Sequence, residues 1–370
     1  MKFTCEKALL VSALSVASRT VAQKSTIPCL EGVLLRAGVA LQLTGYNLET
    51  GITVHVGAQI QEAGSCVMPA RLFFDIVRKL PDEMVSITVD HKQQVSIRAG
   101  AAFFQITAMD SEDYPELPDV NGKSGVTMPQ SALKAMISGT IFSVSENQAR
   151  PIQTGCLMEV TGDELRLVGL DGFRLALQRM HDQFVLPDGV DKVTAIIPGR
   201  VMNEIAHIME DDDGMATFHL DSTHLMAVMG DTTLVTSLLA GEYINYRQIL
   251  PTSWLTRVTV KRRELQDAIE RASLMAKEGK NNLIRMKATQ DNLKITSMSE
   301  LGDVLEDLDA HLEGEDIEIA FNARYISDVI KNVDEDCCTL CMNTNVSPCV
   351  ISPLEGDSYL YLVLPVRVYN

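Results

Sequence analysis

Few side chains in this sequence combine the type and the spacing that chemistry requires. Cys337-Cys338-x-x-Cys341 could offer thiolates to a metal. The run CCTLCM suits a strand with Cys337, Thr339 and Cys341 on one face, and no second cysteine pair follows to close a tetrahedral site, so buried core thiols are expected. Asp211-Asp212-Asp213 follows a helical pattern and reads as a loop rather than a cation site. The histidines are dispersed, and His219 and His224 stand five apart in a strand-like stretch, which predicts opposite faces. The sequence holds no phosphate-binding glycine loop, no G-x-S-x-G elbow, no H-E-x-x-H and no dinucleotide fingerprint. Catalysis, a cofactor and a metal are therefore not expected. A hydrolase would need a nucleophile, base and orienter set that the residues do not supply.

What remains is charge. The chain carries 32 basic and 49 acidic residues, a net −17, and as a whole repels phosphate. Six windows of helical periodicity, 5–24, 68–80, 130–145, 197–209, 261–280 and 322–332, hold 16 of the basic residues and only 8 of the acidic ones. These helices net +8 and the remainder −25. If they share one surface, it can hold a polyanion in one place. No aromatic platform or zinc finger accompanies the charge, so base reading is not indicated. An acidic, monomeric protein-interaction scaffold is the competing reading.

The elements that position these charges recur three times. MPARLFFDIVRKLP from Met68, IPGRVMNEIAHIME from Ile197 and FNARYISDVIKNVD from Phe321 each open on Pro or Asn and place an arginine before apolar residues at helical spacing. Arg71, Arg200 and Arg324 are 129 and 124 residues apart, close to one third of the 370-residue chain. The alternating segments beginning at Leu41, Leu165 and Leu293 repeat at 124 and 128. Upstream of them, Leu9 with Ala13, Leu133 with Ile137 and Leu265 with Ile269 predict the buried faces of three short amphipathic helices. Each repeat reads as helix, strands, helix, strands, with turns such as Asp163-Glu164, Asn121-Gly122 and Pro187-Asp188-Gly189, which makes the chain α+β three times over. Domains are expected at 1–122, 126–252 and 256–370.

Ala8 to Ala17 follows Lys2 and Lys7 and has the superficial look of a secretory leader, but its recurrence in each repeat marks it as structural. No apolar stretch reaches the ~18 residues of a membrane span, and eight scattered cysteines suit a reducing cytoplasm.

Ordered motifs then carry a resemblance over essentially the whole chain. They are MKFT (1–4), TIPCLEGVLL (26–35), LTGYNLE (43–49), MPARLFFDIVRKLP (68–81), DYPELP (113–118), RPIQTG (150–155), LDGFRLA (170–176), YINYRQILP (243–251), LKIT (293–296) and YLVLPVR (361–367). With them the sequence resembles the bacterial DNA polymerase III beta subunit, the sliding-clamp family. The resemblance implies a non-enzymatic processivity factor. Two chains would join head to tail into a six-domain ring, helices lining a hole for double-stranded DNA and sheets outside.

The same resemblance implies an apolar pocket between the second and third domains. It would take short Leu/Phe-containing peptides of the replicative polymerase, the clamp loader and repair and translesion proteins. The matching positions are Leu170, Gly172, Phe173, Arg174, Leu175, Tyr246, Ile249, Leu362, Leu364, Pro365, Val366 and Arg367. Leu170 stands where the family commonly has Thr, Phe173 where His is frequent, Gln153 where an aliphatic residue is usual, and Ile244-Asn245 where Pro-Asp is frequent; Tyr369 and Asn370 extend the usual end. These departures bear on peptide preference. For DNA the resemblance points to Arg19, Lys24, Gln148 and Arg150, and inner-helix charge adds Arg71, Arg200 and Lys277. For the dimer joint it points to Phe104 and Ile106 against Leu274 and Met275.

Overall fold

A computed structural model describes residues 1–81, 83–120, 124–187, 189–209, 214–279 and 281–368, with Ser124 by its backbone only. The Asn121-Gly122 turn, Asp188, the Asp211–Asp213 run and the Tyr369-Asn370 extension lie outside the described residues. Among the described residues, six α-helices stand in the six expected windows: α1 (Lys7–Ala17), α2 (Ala70–Lys79), α3 (Gln130–Ile141), α4 (Gly199–Ile208), α5 (Arg262–Glu278) and α6 (Ala323–Lys331). Each repeat runs strand, helix, strands, helix, strands.

The buried faces follow helical spacing. Leu10, Leu133 and Leu265, each the fourth residue of its helix, are fully buried, and Ile137 and Ile269 follow one turn later. In α1 the expected anchor Leu9 is instead 46 % exposed, and Leu10, Ala13, Leu14 and Ala17 face the core. The run ALLVSALSVA is apolar nearly all round, so its own periodicity does not choose a face; packing does. In α2 and α6 the choice is sharp, with Ala70, Phe73, Ile76 and Val77 matched by Ala323, Ile326, Val329 and Ile330. The Asn322 side chain accepts the Arg324 amide and caps α6.

The chain packs as two compact units. The first comprises Met1–Ala132, Val185–Val190 and Glu204–Leu238. It holds a five-stranded antiparallel sheet in the order Gln59–Glu62, Lys2–Glu6, Met84–Val89, Gln94–Ala99, Ala102–Thr107. It also holds an eight-stranded sheet in which four strands of the middle repeat, ending in Thr232–Ser237, continue through Thr50–Val56 into four strands of the first. The second unit comprises Leu133–Phe184, Asp191–Asn203 and Leu239–Asn370. One twelve-stranded sheet runs through it, and the other four middle-repeat strands, ending in Arg174–His181, continue through Tyr359–Val363 into the third repeat.

One rule thus builds both joints. The last strand of a repeat pairs antiparallel with the third strand after the first helix of the preceding repeat. Thr236 stands opposite Thr50 at one joint and Val363 opposite Arg174 at the other. After each pairing the next amide continues it: Ser237 N–H donates to the Glu49 carbonyl at 3.1 Å, and Leu364 N–H to the Phe173 carbonyl at 2.9 Å. Two strands covered by this rule have no such partner among the described residues. Ala102–Thr107, the last strand of the first repeat, pairs only with Gln94–Ala99. In the third repeat, Gly302–Asp309 pairs only with Asn292–Ser299, while the rest of its long strand turns to Thr256–Val260.

Candidate functional site

The residues expected at the partner site gather around the joint within the second unit. Leu170 stands opposite Leu175, Leu175 opposite Leu362, and Leu362 opposite Val350, so one apolar row crosses four strands. Tyr246 packs on this row, and Leu170, Leu175, Leu362 and Tyr246 are all buried. Tyr246 is fixed from behind: its hydroxyl donates to Glu159 Oε2 at 2.7 Å, and Arg247 Nη2 donates to the same oxygen at 2.7 Å. Burial pushes the Glu159 carboxyl up, but the Tyr246 and Arg247 hydrogen bonds outweigh it and hold the group below the usual carboxylate range. Phe173, Ile249 and Leu364 remain exposed beside the buried row, Pro365 and Val366 are half-buried, and Arg367 is exposed. Val366 N–H donates to the Ala320 carbonyl, which pins the terminal segment.

The corner at the end of the row is built by a short aspartate turn. Asp171 Oδ1 accepts the amides of Phe173 at 2.8 Å and Arg174 at 3.0 Å, and Gly172 adopts φ +90°, which a side chain would strain. Asn47 does the same in the first repeat, accepting the amides of Glu49 and Thr50, with Leu48 at φ +73°. Arg174, expected in peptide contact, is only 7 % exposed and is already engaged: Nε donates to Asp171 Oδ2 at 3.1 Å and Nη1 to Asp328 of α6. Its guanidinium lies 4.9 Å from the Tyr325 ring centroid and 5.5 Å from that of Phe142. Arg174 therefore braces the corner, while Phe173 stacks on Tyr325 at 5.5 Å and 17°.

Of the residues expected to face DNA, Lys24, Arg71, Gln148, Arg150, Arg200 and Lys277 are exposed. Arg19 is exposed as well, but is paired with Glu204 of α4. Arg150 borders the Gly172 corner, with Nη1 3.7 Å from where a β-carbon on that glycine would stand. Two crevices open between helices of equivalent repeats, and neither includes a residue of the apolar row. One of about 580 Å³ lies between α1 and α2 beside Lys7 and Arg78; the other, of about 490 Å³, lies between α5 and α6 beside Lys277, Arg324 and Lys331. In the second crevice Lys331 pairs with Glu270 at 3.3 Å and Arg324 lies 3.9 Å from Asp328, so much of its positive charge is already answered.

The two unpaired edges are apolar. On one, Phe103 and Phe104 are exposed and Ile106 is half-buried. Around the other, Leu274 of α5 is exposed and Met275 half-buried, and Met298, Leu301 and Leu305 add exposed apolar surface that the sequence reading missed. Only the first edge carries a sequence signal: the adjacent Phe103 and Phe104 give both faces of their strand an apolar side chain.

The alternatives for metal or thiol chemistry resolve structurally. Cys337–Met342 is the expected strand, but it is interior to its sheet, so Cys338 and Cys341 are both buried on opposite faces. Burial pushes the Cys338 thiol up to about 12 and Cys349 well above its ordinary value, which keeps them protonated and inert. His219 and His224 do not lie on one strand. They flank a hairpin turn held by Asp221 Oδ1, and both occupy its half-exposed face, because the turn resets the alternation. Glu164, His181 and Asp357 gather closely enough to suggest a cation, yet Arg166 and Arg179 bind the two Glu164 oxygens and Arg179 also approaches Asp357. The arginines already supply the positive charge.

Family models for the N-terminal, central and C-terminal domains of the DNA polymerase III beta subunit match residues 1–118, 127–245 and 247–367. The chain belongs to the DNA polymerase III beta subunit family. A curated member, the beta sliding clamp of Staphylococcus aureus, is 30 % identical over the full length of both chains. The crystal structure of the DNA polymerase sliding clamp from Bacillus subtilis superposes with a TM-score of 0.95 at 30 % identity, covering both chains completely. The sliding clamp of Pseudomonas aeruginosa, solved bound to griselimycin, matches with a TM-score of 0.93 at 27 % identity, again over both whole chains. The α+β repeats, the six helices and the two strand-paired joints are thus features of a beta-clamp fold. Among the described residues no helix is long and apolar enough to cross a membrane.

Proposed function

We infer that this chain works as a DNA sliding clamp, a processivity factor rather than an enzyme, divided into domains at 1–122, 126–252 and 256–370. The observation that carries the reading is the pair of unpaired strands left over by the joint rule. Two copies arranged head to tail would satisfy both edges twice, a heterologous contact that closes. Carrying the register of the existing joints across, Ile106 faces Gly302, Phe104 faces Val304 and Phe103 faces Leu305 of the second copy. Phe104, Ile106, Leu274 and Met275 are then joint residues.

Double-stranded DNA would pass through the ring against the basic helix faces. Lys24, Arg71, Gln148, Arg150, Arg200 and Lys277 offer sequence-independent contacts, and Arg19 offers one once released from Glu204. Partner peptides of the replicative polymerase, the loader and repair and translesion proteins would dock on the Leu170–Leu175–Leu362 row. Phe173, Ile249 and Leu364 form its open rim, and Gly172, Tyr246, Pro365, Val366 and Arg367 frame it, with Arg174 bracing from beneath. Buried aliphatic floors with a few exposed anchors suit such peptides. A cytoplasmic location keeps the eight free thiols reduced.

The test is electron microscopy of the purified chain together with retention on DNA. Annular particles, and protein that stays on nicked circular DNA after loading but runs off once the circle is cut, are expected. Dimers without a hole, or equal retention on both DNA forms, refute encirclement.

A further inference from the structure

The sheet face that carries the apolar row turns charged two rungs away. Beside Leu170, Leu175 and Leu362 runs a rung of Leu157, Val168, Leu177 and Leu360, and beyond it one of Glu159, Arg166 and Arg179. Tyr246 spans these layers. Its ring packs on the row and its hydroxyl reaches Glu159, so that carboxylate fixes the short turn leading to Ile249, whose amide donates to the Tyr246 carbonyl at 3.0 Å. Arg166 is placed to compete for the same carboxylate. It stands opposite Glu159 and beside the Tyr246 hydroxyl, and its Nε is buried without a hydrogen-bond partner among the described residues. Glu164 draws the guanidinium the other way: one of its oxygens accepts from Arg166 Nη2, and the other pairs with Arg179 Nε at 3.2 Å. Arg179 is anchored on the third repeat, donating from Nη1 to the Asp357 carbonyl and from its amide to the Ser358 carbonyl, both at 2.7 Å. The Glu164 side chain is only 14 % exposed, and an arginine stripped of its counter-ion in such surroundings is driven to the nearest other anion.

We propose that Glu164 is a positioning residue for partner binding: by engaging Arg166 it leaves Glu159 to Tyr246, and so sets Ile249 at the rim of the row. It acts at a distance, six residues before Leu170 on one strand, or about 20 Å. This rests on reading the Leu170–Leu175–Leu362 row as the peptide site. With residue 164 neutral, Arg166 turns to Glu159 Oε2, the oxygen that Tyr246 uses; the hydroxyl is displaced and the turn loosens.

The experiment is calorimetric titration of the full-length chain with a short synthetic peptide containing Leu and Phe, alongside hydrogen exchange of the 246–250 segment. Glu164→Gln weakens the peptide about fivefold, the worth of one hydrogen bond, and speeds exchange in the turn. Tyr246→Phe weakens it equally, and Glu164→Gln added to Tyr246→Phe brings no further loss. Glu164→Gln with Arg166→Gln, which removes the freed cation, returns affinity and exchange to within about twofold of the wild type, and Arg166→Gln alone stays there too. A Glu164→Gln protein that melts lower yet binds as the wild type does has lost only stability, and overturns the proposal. So does a loss that persists without Arg166, or one that adds to that of Tyr246→Phe. Should Glu164→Gln fail to fold, Arg166→Gln decides: a fivefold loss there means that Arg166 supports Tyr246 rather than competing with it. Leu364→Ala with Pro365→Ala separates the underlying site. If that pair leaves the affinity untouched, or if the wild type does not bind the peptide, the site reading falls and takes the partner role of Glu164 with it.

Discussion

Leu305 gives the sharpest perturbation of the proposed ring. In the free chain it is 60 % exposed on the unpaired half of its strand, so little of it supports the fold. Its exposed side chain presents on the order of 100 Å², and at ~25 cal/mol per Å² Leu305→Ala forfeits about 2 kcal/mol at each joint where it would meet Phe103. A head-to-tail dimer contains the joint twice, so the loss doubles to about 4 kcal/mol, close to a thousandfold in dimer dissociation constant. Sedimentation velocity over a dilution series reads this directly, and thermal unfolding of the dissociated chain should differ from the wild type by less than ~0.5 kcal/mol, as for other exposed positions. Leu274→Ala with Met275→Ala removes the neighbouring end of α5 and should likewise give monomers. A dissociation constant within threefold of the wild type for Leu305→Ala would refute the register. If the Leu274 and Met275 pair also stayed dimeric, the joint would lie elsewhere.

Other outcomes follow from the partner site. Leu364→Ala with Pro365→Ala should leave dimerisation intact and weaken partner peptides at least tenfold, or ~1.4 kcal/mol, in a fluorescence titration. Glu159, held below its ordinary value by Tyr246 and Arg247, adds stability at neutral pH that is lost as pH falls through its folded value, beneath the usual carboxylate range. Glu159→Gln should therefore lower the melting temperature most at pH 7 and progressively less on acidification towards pH 3. A constant difference across that range would show that the carboxylate's charge contributes nothing.

Much of this was legible in the sequence because it rested on periodicity. The threefold spacing, the six helix windows and the alternating strands all express side chains that must face a core, and burial enforces that pattern in each repeat. The failures occur where local pattern is silent. In α1 nearly every position is apolar, so Leu10 rather than Leu9 emerges only from packing. The His219 and His224 faces depend on a turn three residues long, which Asp221 creates by capturing two amides. Arg174 looked available for a ligand, and only the fold brings Asp328 to it from 154 residues away. The apolar rim of Met298, Leu301 and Leu305 carries no periodic signature, because in the proposed ring it would serve a contact that the single chain does not make.

The joint rule also bears on where the chain can be cut. A middle repeat excised at its own boundaries would lose the partners of both Thr232–Ser237 and Arg174–His181 and present two open strand edges at once. The Leu170, Leu175 and Leu177 side chains would come with one of them, stripped of Leu360 and Leu362. Such a fragment is a template for pairing with any extended chain it meets, and it should aggregate. The sequence repeat is thus not the unit of solubility: what divides cleanly is a terminal repeat together with the part of the middle repeat that shares its sheet, and the natural breakpoint runs through the second repeat rather than beside it.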